Sequence, residues 1–281
     1  EGFQRLRGLN IDGIVGDYTW AVLREASYRW ADRTLQHLRP MLRGDDVAEL
    51  QQRLSALGFD PGRVDGIFGG LTAGALAEFQ RNVGLPANAI ASSATFAEID
   101  RVGGRHTAGS LVTTVRERSQ MEDRQGSLSA LSLGLSASPE LAALAEVIRT
   151  EGQGRGLVVN AIAGSDDQEL AQGANLQAVA FLLVLRAAEG QNCRAIHYEG
   201  YSYRSSSGAD LGLRFAALAK EAGFAQGVEC SGMSLPLLRE TVMPAVILEF
   251  TDEALASMDI SVLATGLVEA MCGPRGDGRS S

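Results

Sequence analysis

Asp45-Asp46-Val47, Leu50-Gln51, Leu54, Leu57-Gly58-Phe59, then Val64-Asp65-Gly66-Ile67-Phe68-Gly69, then Thr72, Ala75-Leu76 and Phe79-Gln80: this stretch sets the architecture of the first third of the 281-residue chain. Val47, Leu50, Leu54 and Leu57 recur at helical spacing, which predicts an amphipathic helix. Asp45 or Asp46 is expected to cap its start, and Gly58 to end it as a C′ glycine. A turn at Pro61-Gly62 follows. Thr72 is then expected to cap a second helix through Leu76 and Phe79, and a third short helix should run from near Ala94 to Ile99. Stripes of this kind specify a small three-helix unit.

Working outward, the same words occur earlier. Phe3-Gln4-Arg5, Gly8-Leu9, Ile14, Thr19-Trp20 and Leu23 match Phe79-Gln80-Arg81, Gly84-Leu85, Ile90, Thr95-Phe96 and Ile99 at a constant offset of 76. An internal repeat of this length signals an array of small modules. The earlier copy starts at its Phe-Gln helix, so the native chain is expected to extend further than the sequence in hand. The LQxxLxxLGF, VDGIFG and AxAEFQ words resemble the type-1 peptidoglycan-binding repeat. They imply a partial repeat over 1–30 and a complete one over 40–102. Asp65-Gly66 and Asp12-Gly13 read as turns, because Asp bonds its own backbone and Gly accepts positive φ. Asp65 and Gly66 are also carried forward as ligand-binding candidates. Residues 103–126 read as a linker. Gly103-Gly104 and Gly126 frame its charged stretch, and Val112, Val115 and Ser119 fall on one side of a solvated helix.

Beyond residue 127 the pattern alternates. Strands are expected over 128–135, 157–162, 180–186, 193–203 and 244–250. Helices are expected over 139–150, 167–179, 210–222 and 259–271. Such alternation predicts an α/β domain with a mainly parallel central sheet over 127–272. The whole is thus multidomain: helical repeats, a linker, an α/β domain, and a flexible tail over 273–281.

Bulk properties narrow the function. Hydrophobic residues make up 45% and charged residues 21%, which is ordinary for a globular protein. The formal net charge of −9 argues against nucleic acid as a partner, since phosphate binding needs a basic surface. No apolar run approaches the ~18 residues of a membrane helix. Cys193, Cys230 and Cys272 are odd in number and widely spaced, which argues against a disulfide framework and for a reducing compartment.

Four segments of the second domain resemble the type-3 N-acetylmuramoyl-L-alanine amidases: residues 175–188, the strand around Ala195-Ile196-His197-Tyr198-Glu199, the helix from Asp210, and 235–249 with its Met243-Pro244-Ala245…Glu249 ending. That family hydrolyses an amide with one zinc held by two histidines and a glutamate, while a second glutamate acts as acid and base. Carried over by position, Leu135 stands at the first histidine and Arg186 at the second. Glu140 corresponds to the ligand glutamate and Glu249 to the acid–base one. The resemblance therefore implies a vestigial site without metal or other cofactor. Arg186 is expected to pair with Glu249 in the metal's place, and both are candidates for contacting a muropeptide or nucleotide-sugar. His197 reads as a packed strand residue rather than a ligand.

Repeats plus a histidine-stripped amidase domain resemble the actinobacterial CwlM family. That resemblance implies a non-catalytic, cytoplasmic regulator of peptidoglycan precursor synthesis, acting also at the inner membrane surface through its partners. The implied partners are a MurA-type enolpyruvyl transferase, a forkhead-associated domain protein, a lipid II flippase and a serine/threonine kinase. Ser280 and Ser281 are the tail's only phosphorylation candidates. Two alternatives stay open: an active zinc amidase and a passive peptidoglycan-binding protein.

Overall fold

The structure is a computed structural model that describes residues 1–103, 132–190, 192–200, 203–222 and 227–272. These fall into two compact units, one built on residues 1–103 and one on 132–272. The expected linker helix at 104–126 and the tail at 273–281 lie outside the described residues.

The first unit is helical: α1 (Gly2–Leu6), α2 (Asp17–Glu25), α3 (Asp45–Ala56), α4 (Gly70–Asn82) and α5 (Ser93–Gly103). Val47, Leu50 and Leu54 of α3 are fully buried with Phe68, Leu76, Phe79, Phe96 and Ile99. Leu35 and Ala91 close this core by exchanging backbone hydrogen bonds of 3.2 and 2.8 Å.

Both expected N-caps are corrected. Gly44 caps α3 and Gly69 caps α4. Asp46 instead turns inward, 1% exposed, to take the Arg33 guanidinium at 2.7 Å. A Cβ on Gly44 would sit 2.3 Å from Asp46 Oδ1, so only glycine fits beside that pair. Thr72 is buried and donates to the Pro61 carbonyl at 3.1 Å.

The second unit holds β1 (Ser132–Ala137), a 3-10 turn at Pro139–Leu141, α6 (Ala142–Gly154), β2 (Val158–Ala161), α7 (Asp167–Leu176), β3 (Phe181–Ala187), β4 (Cys193–Tyr198), α8 (Ser206–Glu221), β5 (Val228–Met233), α9 (Pro236–Glu240), β6 (Ala245–Phe250), α10 (Asp252–Ser257) and α11 (Ile260–Cys272). The sheet order is β2-β1-β3-β6-β4-β5. Neighbours run parallel except β4 against β6, so the mainly parallel sheet is as expected.

Several elements differ from expectation, the unforeseen short α9 among them. β4 stops at Tyr198 rather than 203, because the chain folds back through a Glu199–Arg204 bridge. β5 was unexpected: Val-Glu-Cys-Ser-Gly-Met has no clean apolar alternation, and none of its residues is fully buried. The short α10 is capped by Thr251, which accepts from the Ala254 N–H.

One face of the sheet carries Leu133, Leu135, Leu183, Leu185, Ala195, Val246, Leu248 and Phe250. They pack against Leu144 and Ile148 of α6, Phe215 of α8, and Leu263 and Leu267 of α11. Strand alternation puts Arg186, Glu249 and Arg194 on the opposite face. α7 and α9 are tied by Asn175, which donates to the Glu240 carbonyl at 2.8 Å and accepts from the Val242 N–H at 3.0 Å.

Candidate functional site

In an open α/β sheet ligands sit at the carboxyl ends of the strands, which here means the ends of β3 and β6. Arg186 and Glu249 lie in register there, on the same face. Arg194, at the start of antiparallel β4, is in register with Glu249 from the other side. Glu249 is thus flanked by two guanidinium groups and takes only one. Its Oε2 accepts from Arg194 Nε at 2.8 Å and Nη2 at 2.6 Å. Arg186 turns to Asp167 Oδ1, 2.5 Å away at the start of α7. The expected Arg186–Glu249 pair is therefore corrected to two separate pairs. Glu249 bonds its neighbour on β4, and Arg186 bonds a carboxylate beyond its own strand end.

Asp167 and Arg194 carry this site and were missed in the sequence. A signal existed for Asp167. In Asp166-Asp167, the first carboxylate caps α7 by accepting from Gln168 N and Glu169 N, at 2.9 and 2.8 Å, and that leaves the second to pair elsewhere. Arg194 is recognisable only once β4 is known to lie beside β6.

The remaining candidates do not gather here. Leu135 is 7% exposed and belongs to the closed apolar face. As a vestigial metal position it is corrected, because strand alternation points it away from Arg186. Glu140 is exposed on the 3-10 turn, where its own N–H and then the Ser138 hydroxyl hold its carboxyl below the usual range. His197 is registered with Val246, whose side chain belongs to the apolar face opposite Glu249. Its Nε2 accepts from Arg204 Nε at 3.0 Å, so the proton sits on Nδ1, which is buried without a partner. Burial first, and the Arg204 charge second, push its pKa down to about 4, so the ring is neutral at pH 7.

A zinc ion of the amidase kind does not fit this donor set. Among the described residues no three His, Cys, Asp or Glu side chains group to hold a metal. Cys193 is buried and Cys230 half-buried, and both are free thiols.

In the helical unit, Asp65 and Gly66 prove to be structural. Gln51, 1% exposed on α3, donates to Asp65 Oδ1 (3.0 Å), the Ile67 carbonyl (3.0 Å) and Thr72 Oγ1 (3.1 Å). Its Oε1 accepts from the N–H groups of Asp65 (3.1 Å) and Gly66 (2.9 Å). As ligand candidates they are corrected: their polar groups serve this internal clasp.

The clasp recurs. Gln80 donates to Asn88, the Ile90 carbonyl and Thr95, and accepts from Ala89 N–H. Gln4 donates to Asp12 and the Ile14 carbonyl, and accepts from Gly13 N–H. Three helix–loop–helix clasps thus stand in this unit, one within residues 1–30 and two within 40–102.

Comparison with known proteins agrees with the helical part. Residues 43–99 match the family model described as a putative peptidoglycan binding domain. The chain is 49% identical over 109 residues to the N-acetylmuramoyl-L-alanine amidase CwlM of Mycobacterium tuberculosis, which is 38% of this chain and 27% of that protein. It is 50% identical over 52 residues to a spore cortex-lytic enzyme of Bacillus cereus, covering 18% of this chain and 20% of that one. The chain therefore spans about a quarter of the length of these relatives. Among solved structures, an N-acetylmuramoyl-L-alanine amidase from Clostridium difficile 630 aligns with 50% of this chain and 95% of its own, at 14% identity and a TM-score of 0.39. The α/β architecture stands on strand order and register, not on that likeness.

Proposed function

We propose that this CwlM-type chain, with its peptidoglycan-binding domain at residues 43–99, is a non-catalytic regulator of peptidoglycan precursor synthesis rather than an amidase. One observation carries the reading. The strand ends to which the resemblance assigns part of the metal site, at Arg186 and Glu249, hold two ion pairs, Arg186–Asp167 and Arg194–Glu249. A guanidinium stays protonated and offers no lone pair to a metal. At ~4 Å and an effective dielectric of 20, a fixed unit positive charge opposes a dication by about 8 kcal/mol. Each carboxylate here is matched by a guanidinium, which leaves no net negative charge to draw a dication, and the one imidazole described in this unit lies behind the sheet. Glu249 is engaged by Arg194, which argues against a role as a free general base.

On this reading the helical unit recognises peptidoglycan or its precursor, and the α/β unit presents a surface to proteins. The partners proposed by resemblance are a MurA-type enolpyruvyl transferase, a forkhead-associated domain protein and a lipid II flippase, with kinase control through Ser280 or Ser281 and a cytoplasmic location. No described helix is long and apolar enough to cross a membrane.

The rival reading is an active amidase, favoured by the printed name of the CwlM relative and by the retained Glu249. Two measurements separate them. Purified chain should hold less than a tenth of an equivalent of zinc and release no peptide from muropeptides, while changing the rate of a MurA-type transferase. Metal-dependent turnover that vanishes in Glu249→Gln would establish the rival.

A further inference from the structure

The Phe3-Gln4 and Phe79-Gln80 helices share one clasp. Gln4 and Gln80 donate to the Ile14 and Ile90 carbonyls at 3.1 and 2.9 Å and accept from the Gly13 and Ala89 N–H groups at 2.9 and 3.0 Å. The turn that ends each helix matches too: Leu9 and Leu85 donate their N–H to the clasp residue's carbonyl at 2.9 and 2.8 Å. The offset of 76 residues therefore pairs side chains in equivalent places, Phe3 with Phe79, Val15 with Ala91, Trp20 with Phe96 and Leu23 with Ile99. Their surroundings are not equivalent. Phe79, Ala91, Phe96 and Ile99 are buried, whereas Val15 and Trp20 are each 60% exposed and Phe3 and Leu23 only half-buried.

What covers the second copy accounts for the difference. Phe59 stands edge-on to Phe79 with ring centroids 5.7 Å apart, and Trp30 edge-on to Phe96 at 4.7 Å. Leu35 bridges Ala91 through its backbone, and Val47, Leu50 and Leu54 of α3 pack into the same core. Every one of these groups precedes α4 in sequence. The first copy has the framework without the cover: among the described residues no backbone bridge forms at Val15. Single exposed apolar side chains are ordinary, but a set whose equivalents form a closed core marks a surface that another element completes.

We infer that the face of Phe3, Val15, Trp20 and Leu23 is a docking surface for a helix of the α3 type and a short extended segment, both carried ahead of α1 on the same polypeptide. The second copy specifies this occupant. It has apolar residues in the Val47, Leu50, Leu54 pattern, a glutamine ahead of Gln4 at the spacing that separates Gln51 from Gln80, and an extended residue bridging Val15 as Leu35 bridges Ala91. Val15 and Trp20 are larger than Ala91 and Phe96, so the occupant carries smaller side chains opposite them. Chain continuity argues for the source. Cover, clasp and α4 are consecutive in the second copy, so docking there is intramolecular and loses no translational freedom. The inference does not depend on the proposed function.

The test compares this chain with the same chain extended to the start of its reading frame. Trp20 and Trp30 are the only tryptophans in the present chain, so Trp30→Phe leaves Trp20 as its sole indole. In the extended chain, acrylamide quenching of Trp20 is expected to fall severalfold and its emission to move to shorter wavelength. Val15→Asp should leave the urea midpoint of the present chain unchanged and lower that of the extended chain, because only there does it bury a charge. Leu6→Asp, at an exposed position whose counterpart Asn82 is also exposed, should be silent in both. The Val15→Asp comparison needs no Trp30→Phe background, so it stands even if that substitution unfolds the unit. Equal quenching of Trp20 in the two chains, equal response to Val15→Asp, or an upstream sequence without the helix pattern overturns the inference. Self-association of the extended chain that Val15→Asp abolishes also overturns it, by making a second copy the occupant.

Discussion

Glu249 illustrates what a single side chain can decide. It is 13% exposed and bonded through one oxygen to a single arginine, so removing that arginine strands a mostly buried carboxylate. Arg194→Ala should therefore lower stability in urea by about 2 kcal/mol, and adding Glu249→Gln should restore most of the loss. Equal destabilisation by the double variant would show that Arg194 acts through packing. His197 sets a pH dependence. Its folded pKa, about 4, lies below the ordinary 6.5, so the unfolded chain binds the proton more readily. The stability that neutral His197 contributes is complete above pH 6.5 and is lost as pH falls toward 4. Arg204 and Glu199 are the charged groups that face the ring. Urea midpoints from pH 4 to 7 should fall with acidification, and the fall should be shallower in His197→Gln. A third residue-scale contrast lies in the clasps. Gly66 has φ +73° and Ala89, its counterpart, φ +57°. Gly66→Ala should cost about 1–2 kcal/mol, whereas Ala89→Gly should be neutral or slightly stabilising, because only the first introduces a left-handed non-glycine residue.

At the scale of the element, the helical unit is held by its three glutamine clasps as much as by its apolar stripes. Gln51 satisfies two backbone N–H groups, a carbonyl and two side chains from one buried position. Gln51→Leu keeps the volume and removes every partner, so thermal or urea unfolding should report a loss of about 3 kcal/mol. Exposed Gln52→Ala, one residue away, should change stability by under about 0.5 kcal/mol. The repeat itself is visible in sequence as Phe-Gln and Asp-Gly-Ile words. That the middle clasp belongs to the same series is hidden, because 14 residues separate Gln51 from Asp65 and only 8 separate Gln4 from Asp12 or Gln80 from Asn88. A spacing search cannot align loops of unequal length; the shared hydrogen-bond pattern does.

For the molecule as a whole, the proposed function predicts indifference to metal. Anything bound only by the folded state raises the melting temperature, so added zinc at micromolar levels should leave it unmoved. A rise of several degrees, reversed by a chelator, would return the chain to the zinc amidases. Much of the architecture was legible from residues alone. Periodicity located α3 and α4 and the strands around Leu183 and Val246, since burial on one face imposes a pattern that local spacing records. β5 and the extent of β4 were not legible, because Val228–Met233 is only partly buried and carries no alternation. Only the tertiary structure decided that Leu135 faces the core, that His197 lies behind the sheet from Glu249, and that Arg194 rather than Arg186 holds that carboxylate. Residue types and spacings set which groups are available and which face of an element they share. Pairing depends on which strands become neighbours, and that is settled by packing between segments dozens of residues apart, which no local pattern encodes.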